Sequence, residues 1–192
     1  MKWIIVAIVI FIPLYTWLTL HYRRPGQAYE PYAEARDRAT VTRLLAAGYR
    51  RVELEAARPT EPLPESAPAR ITPANGGLPA GLAGALAELP LLPADITHVL
   101  APRAASPDKP YVIEFTCRLP DDKEQLLDAQ FYERGNELVF APNFERAPGS
   151  LLLRSPENTV RLTVPAGVLK PGHYRVLLAG ARQSQSWGLT VR

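Results

Sequence analysis

Three histidines and one cysteine set the limit on chemistry in this chain. His98 shares strand parity with Ile96 and Leu100, His173 lies beside a turn, and His21 ends an apolar run. Neither His98 nor His173 has another His, Cys or acid at ligand spacing, so a metal site is not expected. A single Cys also excludes an internal disulfide framework and a cysteine-rich zinc site. Cys117 takes an inward strand position and reads as a small core residue, since a nucleophile needs exposure and a neighbouring base. Asp121, Asp122, Glu124 and Asp128 share only acidity with a calcium loop and lack its glycine and spacing; a solvated turn is expected. Ser106, Ser184 and Ser186 lie outside any Gly-x-Ser-x-Gly elbow, and Gly76-Gly77 has no phosphate-loop context. No cofactor is expected, nor is enzymatic activity. An acidic pair brought together only by folding would support a hydrolase or a carbohydrate-binding module as an alternative.

Binding then falls to loops on a rigid scaffold. Two are expected: Ala181–Ser186 as a hairpin loop and Asn143–Arg146 as an earlier one. Arg182 and Phe144 are the candidate contact residues.

The elements that must carry these loops follow from composition. The chain has 192 residues, with 20 Pro and 12 Gly. Proline near twice the usual ~5% disfavours a helical bundle and marks turns, strand edges and linkers. From Trp3 to Leu20 the sequence is almost wholly apolar, and eighteen residues at about 1.5 Å each give ~27 Å, close to a bilayer core of about 30 Å. Trp3 marks one end, and Tyr15, Trp17 and Tyr22 gather toward the other, as in an interfacial aromatic belt. A retained transmembrane anchor over 1–22 is expected, in preference to a cleaved signal peptide, whose apolar core usually runs 7–15 residues.

Charge is divided unevenly. Residues 1–58 hold nine Lys/Arg against five Asp/Glu, whereas 59–192 hold thirteen against fourteen. The basic balance belongs to the arm at 23–57, so the folded domain offers no basic face for nucleic acid. Arg23, Arg24, Arg36 and Arg38 follow the span closely, which by the positive-inside rule favours a cytoplasmic C-terminal bulk. The type of domain favours the opposite, extracytoplasmic side, and that orientation is the one expected.

Within the arm, Pro31 to Ala47 reads as a helix with Gly48 at its C-cap and a thin stripe of Ala35, Ala39, Thr42 and Ala46, with Leu44 and Leu45 adding to one side. Arg50–Glu55 alternates as a short strand. Six prolines punctuate 58–81, so residues 58–92 read as a Pro/Ala-rich linker, with 81–92 either a short helix or irregular chain.

Over 93–192 the period is two. Tyr111, Ile113, Phe115, Cys117 and Leu119 share one face; Val160, Leu162 and Val164, then Tyr174, Val176 and Leu178, then Trp187, Leu189 and Val191 repeat the pattern. Leu177 breaks the polarity of the outer face. Shorter runs at 96–101, 129–134, 138–141 and 151–154 complete the set, and turn signals stand at Pro120-Asp121-Asp122, Gly135-Asn136, Pro148-Gly149, Pro156-Glu157-Asn158 and Pro171-Gly172. Short alternating strands at this spacing predict an antiparallel β-sandwich, with a closed barrel as the competing architecture.

The run from Thr159 to Val176, with Val164-Pro165-Ala166 and Leu169-Lys170-Pro171-Gly172-His173-Tyr174, resembles the late strands of bacterial immunoglobulin-like modules. In particular it is similar to extracytoplasmic domains of membrane-bound proteins related to anti-sigma factors. The likeness covers about 110–192 and implies an immunoglobulin-like sandwich. Tyr174 is placed to turn its ring inward and bond back to backbone as a tyrosine corner. Val176 stands where antibody domains carry a cysteine, and only Met1-Lys2 precede the span, so sigma-factor binding is not carried over. The expected protein is a single-pass, membrane-anchored, non-enzymatic binding or scaffold module. Its partners would be the lipid bilayer and another protein. A cytoplasm-facing subunit of a membrane complex is the alternative.

Overall fold

A computed structural model describes residues 2, 11–18, 33–59, 63, 67–119, 124–146 and 157–192. The chain divides into two compact units, Met1–Ala35 and Arg36–Arg192. In the first unit, residues 11–18 are helical and exposed. The expected strand at 151–154 and the turns at Pro120-Asp121-Asp122 and Pro148-Gly149 lie outside the described residues.

The second unit is mainly β, with two sheets packed face to face. One sheet is built from β1 (Arg50–Glu53), β3 (Thr72–Asn75), β5 (Ala104–Ala105), β7 (Glu124–Arg134), β8 (Glu137–Arg146), β10 (Gly172–Leu178) and β11 (Gln183–Val191). Its order is β1-β7-β8-β10-β11-β3, with β5 also pairing β11. The other, ordered β2-β9-β6-β4, contains β2 (Glu55–Ala57), β4 (Asp95–Leu100), β6 (Tyr111–Arg118) and β9 (Glu157–Val164). Two pairings correct the expectation of a purely antiparallel sandwich: β10 runs parallel to β8, and β5 parallel to β11. After β8 the chain crosses to the opposite sheet as β9 and returns as β10 beside β8, in the same direction.

Alternation explains the inner core. The expected face of β6, from Tyr111 through Cys117, is fully buried, as are Val160, Leu162 and Val164 of β9. They meet Phe131, Leu138, Phe140, Val176, Leu178, Trp187 and Leu189 from the seven-stranded sheet. The Phe131 and Phe140 rings lie 5.0 Å apart. Desolvation holds the Cys117 thiol neutral and pushes its pKa up to about 12, as a core residue requires.

A second core lies on the outer face of the seven-stranded sheet, and here the arm and linker segments differ from expectation. Helix α1 (Ala33–Ala46) ends in a motif in which Gly48, at φ +77°, donates to the Leu45 carbonyl and Tyr49 donates to that of Leu44. These are the paired bonds of a Schellman cap, and the Leu44–Tyr49 apolar contact that accompanies such a cap points both side chains at the sheet. They are buried with Leu82 and Ala85 of α2 (Ala80–Ala85) over Tyr132, Val139 and Ala141. The helix therefore buries Thr40 and Leu44, while Ala39, Thr42 and Ala46 of the expected stripe are exposed. Leu177 packs against this cluster, which accounts for an apolar residue facing outward. Strands β1 and β2 join opposite sheets on either side of Leu54, and β3 pairs with β11. The described residues of the proline-rich segment thus include an edge strand and a covering helix.

Candidate functional site

The residues singled out in the sequence do not converge. Phe144 lies within β8, is 3% exposed and belongs to the inner core. Its backbone N–H donates to the Leu91 carbonyl at 3.0 Å, and Leu91 N–H in turn donates to Asn143 Oδ1. The segment 143–146 extends a strand, so Phe144 as an exposed loop contact is corrected: pairing with β7 and Leu91 satisfies its backbone while its ring fills the core. Arg182 is exposed at the end of the β10–β11 connection and pairs with Asp95. Its N–H donates to the Ala94 carbonyl, so it fastens this loop to the start of β4.

The two sheets also separate the polar candidates. His98 is exposed, whereas Ile96 is buried, because a bulge at Thr97 shifts the register and reverses the parity the sequence suggests. His173 bonds Thr190 across a strand pair at 3.1 Å. Ser184 is buried against the Gly180 backbone, and Ser186 meets Thr72 at 3.0 Å; both belong to β11 instead of a loop. Asp128 lies in β7 beyond a second bulge, while Asp121 and Asp122 fall outside the described residues. Among the described residues no three His, Cys, Asp or Glu are grouped to hold a metal ion. Of the anchor residues, Trp3 and Tyr22 lie outside the described residues, and Trp17 is 59% exposed on the helical stretch 11–18. Among the described residues no helix is long and apolar enough to cross a membrane.

A groove of about 610 Å³ on the outer face of the seven-stranded sheet combines apolar and charged groups. It crosses β8, β10, β11 and β3, beside the helical cap at Pro79. Leu177, Ala74 and Pro79 give it apolar surface, Thr72 and Ser186 supply hydroxyls, and Arg70, Arg134, Arg175 and Glu137 carry its charge. The β7–β8 hairpin turns at Gly135-Asn136, with Gly135 at φ +57°, and sets Arg134 and Glu137 opposite each other. Those two form an ion pair at 2.8 Å, and the Arg134 guanidinium also lies 4.6 Å from the centre of the Tyr49 ring. The side chains of Arg70 and Arg175 make no hydrogen bond or ion pair among the described residues.

Gly188 stands directly opposite Arg175 on the neighbouring strand. A Cβ placed there would meet no heavy atom within 4 Å. Sequence parity puts Arg175, Leu177 and Gly188 on the outer face of their strands. It gives no sign that β3 and β8 flank that hairpin, nor that Arg70 joins it.

No family model, no curated protein and no solved structure matches this chain.

Proposed function

We propose that the protein is a single-pass, membrane-anchored, non-enzymatic binding module that displays an immunoglobulin-like domain outside the cytoplasm. The observation that carries the binding role is the outer-face groove, in which two guanidiniums without partners flank apolar surface. A rigid sheet presenting a few polar groups around apolar area is the usual form of a binding site. The immunoglobulin likeness draws support from the two packed sheets and from Tyr174, whose hydroxyl donates to the Lys170 carbonyl at 2.9 Å, as in a tyrosine corner. The parallel β8–β10 pair departs from that likeness. The anchor rests on the uncharged, aromatic-flanked run from Trp3 to Leu20.

Topology and binding are tested together. An alkaline phosphatase fused after Arg192 should be active, and the protein should stay with membranes through a carbonate wash. An inactive fusion with a protease-protected C-terminal domain would instead support the cytoplasm-facing subunit, which Arg23, Arg24, Arg36 and Arg38 favour. Recovery of the chain alone from solubilised membranes after cross-linking would contradict the binding role.

A further inference from the structure

We infer that the outer-face groove holds an extended acidic segment of a partner protein, its carboxylates on Arg70 and Arg175 and an apolar side chain over the half-buried Leu177. This rests on the reading of the domain as a binding module and names the chemistry of its ligand. The first support is charge. Arg50, Arg118, Arg134, Arg161 and Arg182 are each answered by an acid of the same domain: Glu133, Glu157, Glu137, Glu114 and Asp95. Arg70 and Arg175 are not; Arg43, Arg51, Arg58, Arg103 and Arg192 also lack an ion pair among the described residues, but they do not line the groove, whereas Arg70 and Arg175 do. With Arg134 neutralised by Glu137, the groove keeps two cations whose planar donors match carboxylates.

The second support is space. A glycine inside a strand weakens it and often marks close approach by a ligand or another backbone. Gly188 is such a residue: it is exposed, opposite Arg175, with open room above it. The third is shape. Four adjacent strands span about 14 Å, enough for roughly four residues of extended chain at ~3.3 Å each. Exposed Arg70, Arg175 and Gly188 leave the groove accessible to a chain passing across it. Two isolated cations on a domain whose residues 59–192 are slightly acidic do not suit a nucleic-acid backbone.

The test uses the full chain in detergent micelles and a fluorescent, end-blocked hexapeptide Glu-Ser-Leu-Ser-Glu-Ser, whose Glu and Leu side chains share one face when extended. Its counterpart with Gln for Glu and inorganic phosphate serve as comparisons. Anisotropy should report binding of the acidic peptide, at least tenfold weaker for the Gln peptide and little displaced by equimolar phosphate. Gly188→Leu, which fills the open space, and Arg175→Gln should each weaken binding at least tenfold while keeping the wild-type melting curve; Arg118→Gln, on the other sheet, should not weaken it. Absence of binding at millimolar peptide, equal affinity for the neutral peptide, equal displacement by phosphate, or unchanged affinity in both groove variants would each overturn the inference. A membrane partner retained undiminished by Gly188→Leu would overturn the groove alone and leave the binding module standing. Normal peptide binding without any membrane partner would overturn the module reading alone.

Discussion

Trp187 and Tyr111 tie the two sheets together through a polar bond inside an apolar core. The Trp187 indole N–H donates to the Tyr111 hydroxyl at 3.1 Å, and that hydroxyl donates to the Pro102 carbonyl at 3.1 Å. Both side chains are buried, so each polar atom depends on the next. Trp187 belongs to β11 and Tyr111 to β6, so the relay also fixes how the sheets face each other. Tyr111→Phe would leave the indole N–H unpaired and should destabilise the fold by about 2 kcal/mol. A double-mutant cycle with Trp187→Phe, read by urea unfolding, should give a coupling of about 1 kcal/mol. Additive losses would contradict a working relay.

Alkaline pH should loosen both the inner core and the outer-face core. Burial raises the Cys117 thiol from its ordinary 9.0 to about 12 and the Tyr132 phenol from 10.0 to about 12, and it raises Tyr111 as well. Arg51 pulls Tyr132 down in part, and Asp128 pushes it up. In each case the unfolded chain loses its proton first. Stability is therefore intact below about pH 9 and falls as pH rises through the folded values, by about 1.4 kcal/mol per pH unit for each group engaged. Calorimetry should show Tm falling progressively from pH 9 to 11, less steeply in Tyr111→Phe. A flat Tm over that range would contradict the assignment.

The helical cap should contribute to stability in its own right. Leu82 and Leu44 are fully buried on the outer face, away from the inner core. Leu82→Ala should cost about 2–4 kcal/mol, as for other core leucines. Leu45→Ala, one residue beyond Leu44 but 64% exposed, should cost under about 1 kcal/mol. Equal effects in chemical denaturation would mean that the cap of α1 and α2 does not pack as described.

Gly76 and Gly84 make a contrasting pair. A Cβ on Gly76 would lie 2.4 Å from the Arg182 backbone, whereas one on Gly84 meets nothing within 4 Å. Gly76→Ala should destabilise by about 1–3 kcal/mol through overpacking. Gly84→Ala, within α2, should stabilise by about 0.5–1 kcal/mol through helix propensity. Thermal melts of the two variants should move in opposite directions.

These particulars show what was legible in the sequence. Period-two alternation placed β6, β9, β10 and β11 and their buried faces, because each strand turns one side to the core. Gly48 and Gly135 announced a cap and a hairpin turn through local backbone requirements, whereas Gly172 opens β10 and the turn before it lies at Ala166-Gly167. The errors came from long-range events. Thr97 adds one residue to β4 and reverses His98 relative to Ile96, and no local signal distinguishes that bulge from regular alternation. Asn143 and Phe144 read as loop, yet Leu91 supplies pairing from about fifty residues away. Gly76 and Leu82 sat in proline-rich chain, and what holds them is the β10–β11 loop and the outer sheet face. The groove is a product of such pairings: Arg70, Arg175 and Gly188 meet only once β3, β10 and β11 are side by side.

The central claim, that the protein engages a partner through this face, is tested most directly by photo-cross-linking in native membranes. A benzoylphenylalanine in place of Thr72, on the groove rim, is compared with one in place of Arg118, on the opposite sheet. The account predicts a discrete protein adduct from position 72 that is absent from position 118 and is lost when Gly188→Leu is added. The same adducts from both positions, or none from either, would contradict it.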